Sequence, residues 1–161
     1  MDNSFKMSHD QDEIWMAEAL FLAQMAADKN EVPVGALIVR ENSIIGRGYN
    51  QRESQSCVTA HAEIIALKEA CQTLKSWRLP GCKLYVTLEP CLMCAGAIYQ
   101  ARIEAVIFGV FDPKAGSLGS LYKIHEDSRL NHRFMVKEGV LEEESRRLLK
   151  DFFKNRRQME R

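Results

Sequence analysis

Between Asp12 and Asn30 the apolar residues Met16, Leu20, Ala23 and Ala27 return at steps of four, three and four, the spacing of one helix face. Pro33 closes that helix. Gly35 to Arg40 and Ser43 to Gly48 are short β-rich runs joined at Glu41-Asn42, which predicts an antiparallel hairpin. Gly46 and Gly48 weaken the second strand or mark a bulge. A polar loop from Asn50 to Thr59 leads into a helix that begins around His61. After the turn Leu79-Pro80-Gly81, Leu84, Val86 and Leu88 alternate with Tyr85 and Thr87, so Lys83 to Leu88 is predicted as a strand. A helix follows through Cys94-Ala95-Gly96-Ala97-Ile98, then an apolar strand over Ile103 to Val110, buried on both faces. Phe111 to Tyr122, with Pro113, Gly116 and Gly119, is predicted as a long loop, and Phe134 to Lys137 as a last short strand. From Val140 a terminal helix carries Leu141, Leu148 and Phe152 on one stripe, joined by Leu149 and Phe153. The hairpin followed by alternating strands and helices predicts one three-layer α/β domain over residues 11–161 with a five-stranded mixed sheet. Residues 1–10 are polar and are expected to form a flexible tail.

Chemistry concentrates where two of these helices start. Thr59-Ala60-His61-Ala62-Glu63 opens one, and Leu88-Glu89-Pro90-Cys91-Leu92-Met93-Cys94 opens the other. Zinc is held by Cys sulfur and His nitrogen, and a catalytic site keeps three protein ligands and one open place. His61, Cys91 and Cys94 make three, and no fourth Cys or His stands at a customary spacing. Cys91 and Cys94 are three apart, so on a helix they share a face, and Pro90 suits a first turn. Nearby helix dipoles favour thiolate. His61 and Glu63, two apart, converge only where the chain is still entering its helix. A lone Cys-x-x-Cys is also the mark of a redox pair or of half a zinc ribbon, but Cys57, Cys71 and Cys82 supply no second pair. His-x-Glu followed by Pro-Cys-x-x-Cys is the signature of zinc deaminases of nucleobases, with the Glu as acid and base.

Composition narrows the setting without adding a function. The 161 residues contain 22 Lys plus Arg and 22 Asp plus Glu, so any nucleic-acid contact has to come from a local patch. No apolar run approaches the ~20 residues that cross a bilayer, and Met1 to Lys6 lacks a signal peptide's apolar core. Five cysteines, two assigned to metal, fit a reducing compartment, which predicts a cytoplasmic protein.

With these residues in view, the chain resembles the bacterial tRNA-specific adenosine deaminases of the cytidine deaminase-like superfamily, from about Ser8 to Gln158. Besides the zinc motif, the likeness runs through Val32-Pro33-Val34-Gly35-Ala36, Asn50, Asp112-Pro113-Lys114-Ala115-Gly116, Asn131-His132-Arg133 and Asp151-Phe152-Phe153-Lys154-Asn155-Arg156-Arg157-Gln158. The zinc motif alone specifies the superfamily; the later blocks point to the tRNA enzymes. Pro113 and Ser117-Leu118 depart from the pattern, at positions that bear on substrate fit. The resemblance implies an α/β/α fold and conversion of adenosine to inosine at the wobble position of a tRNA anticodon. It also implies a homodimer with the site near the subunit interface, and no nucleotide cofactor. One Zn2+ per subunit is implied on His61, Cys91 and Cys94, with zinc hydroxide attacking C6 and Glu63 shuttling protons. Asn50 and Ala62 are the implied substrate-binding positions, although an Asn after a strand is also an ordinary turn residue. Lys114, His132, Arg133, Lys154, Arg156 and Arg157 are candidates for contact with the anticodon stem-loop. The basic ending also complements its helix dipole, as Glu142 to Glu144 do at the start. Two alternatives stay open on the same residues: a deaminase of free cytosine, cytidine or guanine, and a non-catalytic zinc-stabilised RNA-binding subunit.

Overall fold

The dipeptide Glu41-Asn42 adopts positive φ at both positions (50° and 59°), the mirror-image turn whose twist suits a two-residue hairpin. It joins strand β1 (Gly35–Arg40) to β2 (Ser43–Tyr49). A computed structural model describes the backbone of residues 4–161 and the side chains of residues 11–161. Around the hairpin the order is α1 (Ser4–Asp28), β1, β2, α2 (Ala62–Leu74), β3 (Lys83–Leu88), α3 (Leu92–Gln100), β4 (Ala105–Val110), a 3-10 turn (Ile124–Glu126), β5 (Met135–Lys137) and α4 (Glu142–Met159). The five strands form one sheet in the order β2-β1-β3-β4-β5. β1 runs antiparallel to both β2 and β3, while β3–β4 and β4–β5 are parallel. The mixed five-stranded sheet expected from the pattern is therefore present.

Alternation along the strands sorts the core into two layers. Ala36, Ile38, Leu84, Val86, Val106 and Phe108 face one way, toward Ala62, Ala66 and Ala70 of α2 and Ala95 and Ile98 of α3. Leu37, Val39, Tyr85 and Ile107 face the other way, toward Met16, Ala19 and Leu22 of α1 and Val140 before α4. Tyr85 is 2% exposed, and its hydroxyl donates to Asp12 Oδ1 at 2.7 Å. Lys137 Nζ donates to Asp12 Oδ2 at the same distance, so one carboxylate ties α1 to β3 and β5. Burial first and Asp12 next push the Tyr85 phenol up, which keeps it a donor.

Five details differ from expectation. α1 begins at Ser4, inside the segment expected as tail, and residues 1–3 lie outside the described residues. Its buried stripe is Met16, Ala19, Leu22, Ala23 and Ala26, rotated from Leu20 and Ala27. The reason is close approach: a Cβ on Gly35 would lie 2.0 Å from Ala19 O, so the helix rests on β1 by its small residues. β4 starts two residues later than expected, and β2 runs one residue further, with Ile45 the extra residue of a bulge opposite Ile38 and Val39. α4 follows Leu141 at φ 51° and covers the sheet with its first turns only, leaving Phe153 at 41% exposure.

The two antiparallel steps restore direction, so β2, β3 and β4 all end at the same edge of the sheet. Three connections gather there: 50–61 after β2, 89–91 after β3 and 111–123 after β4. Open α/β sheets place their ligands outside the carboxyl ends of the strands.

Candidate active site and metal centre

Helix N-caps usually carry Ser, Thr, Asp or Asn, whose side chains accept a free backbone N–H. Here α2 is capped by His61 (φ −78°, ψ 152°) and α3 by Cys91 (φ −74°, ψ 175°), and neither side chain makes a cap hydrogen bond. Both side chains are engaged with each other instead. His61 Nδ1 lies 3.7 Å from Cys91 Sγ and 3.6 Å from Cys94 Sγ. All three donor atoms fall within 4.8 Å of one another, in the one group of potential metal donors found among the described residues. A tetrahedron with Zn–S of about 2.3 Å and Zn–N of about 2.0–2.1 Å has N–S edges of about 3.6 Å. The trio therefore fits a tetrahedral ion, and the ring nitrogen it offers is Nδ1.

The spacing predicts Cys91 and Cys94 together on a helix with Pro90 in its first turn. Pro90 instead precedes the cap, Cys91 is the extended cap residue, and only Cys94 is helical. The two sulfurs still converge, because the extended cap turns Cys91 back toward the first turn. Cys94's thiol, His61 and nearby backbone hold the Cys91 thiol down at about 4 against its burial. Cys91 in turn pushes the Cys94 thiol up, together with burial and the Glu63 carboxyl. The Cys91 contact raises His61. Two sulfurs and an imidazole converging on one point form a donor set for a cation, and the Glu63 carboxyl stands beside it.

Glu63 stands in the first turn of α2 and is 3% exposed. It reaches the same point as His61 because His61 is still extended, as the two-residue spacing required. Burial raises its pKa, and a contact from Cys94 pulls the other way. Glu63, His61 and Cys91 open onto a pocket whose wall also includes Asn50, Ala62 and Asp112. His61, Glu63, Cys91 and both candidate substrate positions thus share one cavity, while Cys94 is fully buried and does not line it. Asn50 also serves as a turn residue: its Nδ2 donates to Val32 O at 3.2 Å and its Oδ1 accepts from Arg52 N at 3.1 Å. Each end of that amide keeps one further donor or lone pair.

The candidate RNA contacts divide. Lys114 is exposed on the loop after β4, next to Asp112 and Ala115 of the pocket wall. Arg133, Lys154, Arg156 and Arg157 are exposed away from that wall, with Arg156 3.8 Å from Glu160 and over the Phe152 ring. His132 is half-buried, with Nε2 2.8 Å from Ile103 O and its ring stacked on Phe134.

Sequence reasoning passed over Arg52, Asp112 and the buried Glu89, which line the pocket, and the buried Glu31, which does not. Glu31, 1% exposed, accepts from the amides of Glu53 (3.2 Å) and Ser54 (2.5 Å) in the loop after β2. Glu89, 2% exposed, does the same for the loop after β4. Only the position of Glu89 beside Pro90-Cys91 hinted at a role, and nothing in the sequence marks Glu31 as buried.

Comparison with known proteins agrees with this geometry. A family profile described as MafB19-like deaminase matches residues 10–157. A Bacillus subtilis protein named tRNA-specific adenosine deaminase is 49% identical over 147 residues, covering 91% of each chain. One of the same name from Aquifex aeolicus is 48% identical, covering 90% of this chain and 95% of its own. A solved structure from work on A-to-I editing by tRNA:A34 deaminases at the wobble position of transfer RNA superposes with a TM-score of 0.81. It is 42% identical, covering 84% of this chain and 98% of that one. The chain belongs to the deaminases and, among them, to the family of the tRNA-specific adenosine deaminases.

Proposed function

We propose that the protein hydrolyses the exocyclic amine of adenosine at the wobble position of a tRNA anticodon, yielding inosine and ammonia. The observation that carries this is the buried Glu63 carboxyl on the same pocket as His61 and Cys91, two of the three converging donors whose third is Cys94. A purely structural metal site has no use for a carboxyl group in that place. Imidazole with two sulfurs favours zinc. His61, Cys91 and Cys94 would hold a zinc ion, one per subunit, whose chemistry there would be to lower the pKa of a water from about 15.7 to about 7.

The chain's own groups do the rest. Glu63 takes a proton from water as hydroxide adds to C6 of adenine, and passes it to ring N1. The carbon becomes tetrahedral. Glu63 then takes the proton of the new C6 hydroxyl and delivers it to the amine, which leaves as ammonia while the C6–O bond gains double-bond character. A carboxyl with a raised pKa is suited to both giving and taking a proton near neutrality. Asn50 presents its spare donor and acceptor to the purine edge, and Ala62 closes the wall without bulk. The wobble base has to leave its stack to reach the pocket, and a loop of single-stranded RNA releases it at low cost.

Arg52 and Lys114 flank the mouth for phosphate contact, with Arg133, Lys154, Arg156 and Arg157 as outlying cations. A homodimer joined beside the site accounts for Leu92, Leu121 and Tyr122, which are 53%, 54% and 53% exposed on segments next to Cys91 and Gly116. All five cysteines are free, which suits the cytoplasm. No helix among the described residues is long and apolar enough to cross a membrane.

The test is to incubate the protein with total tRNA and sequence the product. Inosine at the wobble position is expected, with no ammonia released from cytidine or guanine. Ammonia from a free base, with tRNA untouched, would move the substrate assignment to the small-molecule deaminases.

A further inference from the structure

The buried Glu89 carboxylate is not used by the mechanism above, yet every partner it has belongs to one loop. Oε1 accepts from Asp112 N at 3.0 Å and from the Ser120 hydroxyl; Oε2 accepts from Leu118 N and Ser120 N, both at 3.0 Å. Gly116 folds over the same group, and a Cβ there would lie 2.2 Å from Glu89 Cδ. The loop is also stitched to the metal-ligand segment itself. Ser117 N donates to Pro90 O at 2.9 Å, and Cys91 and Gly116 pair as an isolated bridge. Its free side brings Asp112 and Ala115 to the pocket wall.

We propose that Glu89 is a positioning residue for the deaminase reaction. It holds the 111–123 loop against the Pro90-Cys91 junction, and so fixes the substrate-facing wall at a set distance from the metal ligands. The proposal rests on the deaminase function for its kinetic consequence, and on the hydrogen bonds alone for its structural one. An ionised carboxylate accepts at both ends, with room for about four donors. Three backbone amides and a hydroxyl fill that capacity. A glutamine of the same shape turns an NH2 toward two of those donors, so the loop loses its grip on that side while the chain volume is unchanged. Glu31 does the parallel job for the opposite wall and serves as an internal control, since its partners Glu53 and Ser54 lie in a different loop.

The experiment compares wild type, Glu89→Gln and Ser120→Ala by metal content, residue-resolved amide exchange and steady-state inosine formation on an anticodon stem-loop. For Glu89→Gln, metal stays bound and the Asp112, Leu118 and Ser120 amides exchange faster. Those of Glu53 and Ser54 stay as in wild type. kcat/KM falls on the order of 10²-fold, the cost of misplacing a substrate by about an ångström. Ser120→Ala, which removes the hydroxyl and keeps all three backbone contacts, shifts the same amides in the same direction by less. Unchanged exchange in the loop, or exchange rising throughout the domain with loss of metal, overturns the proposal. Should Glu89→Gln not fold, Ser120→Ala decides: wild-type exchange at Asp112 and Leu118 with wild-type kinetics overturns it. A wild-type protein that makes no inosine defeats the deaminase assignment, while the exchange comparison still reports on Glu89.

Discussion

Glu63 and Cys91 lie against the same point but carry different duties, and substitution separates them. Glu63 is not one of the three donors, so Glu63→Ala is expected to bind metal with wild-type stoichiometry. Its turnover should fall by at least about 10²–10⁴-fold, the typical contribution of one acid–base group. Cys91→Ala removes a donor and is expected to lose metal and activity together. Elemental analysis beside an inosine assay checks both, and near-normal turnover in Glu63→Ala would remove the proton shuttle from the mechanism. These residues were legible in the sequence because metal chemistry demands particular side chains at particular spacings. Glu31 and Glu89 were not. An isolated glutamate is by default a solvated residue, and its partners here are backbone amides, which every residue but proline possesses.

At the scale of elements, the site depends on how closely α2 approaches β2. A Cβ on Gly48 would meet Ala62 O at 2.3 Å and Ala66 N at 2.8 Å. Gly48→Ala therefore pushes the helix start outward, and His61 and Glu63 go with it. The expected cost is about 1–3 kcal/mol of stability, together with weaker metal binding, measurable by thermal melts and chelator competition. Asp12→Ala is the contrast. It orphans the buried Tyr85 hydroxyl and should cost about 1–3 kcal/mol, yet it acts on the α1 side of the sheet and should leave metal affinity intact. The strands themselves were legible to within a residue or two, since alternation and turn residues mark them locally. The facing stripe of α1 was not, because its choice follows from the small residues of a helix meeting Gly35 across the core. The extent of α4 was misjudged for a related reason: an apolar stripe says a helix has a face to bury, not how much of it finds cover.

Considered as a whole molecule, the protein has 22 basic and 22 acidic residues, so long-range attraction to RNA is not a property of its net charge. Affinity for a tRNA has to come from cations placed where phosphates pass, and salt dependence counts them. Each phosphate contact to single-stranded nucleic acid contributes about 0.7 to the slope of log affinity against log salt. Lys154, Arg156 and Arg157 are exposed on the last turns of α4, where they have two available duties. They can serve the helix, by complementing its C-terminus or in pairs such as Arg156–Glu160 at 3.8 Å, or they can meet RNA. Replacing all three by alanine distinguishes the two. If they contact phosphate, the slope should become shallower by about 2, while kcat at saturating substrate is unchanged, because the pocket is lined by other residues. If they serve only the helix, the slope stays as in wild type and a small loss of thermal stability is the sole effect. Arg52→Ala, at the pocket wall, should instead lower the slope by about 0.7 and reduce kcat/KM as well. Binding of an anticodon stem-loop measured across a salt series, with kinetics at one fixed salt, yields both quantities for each variant.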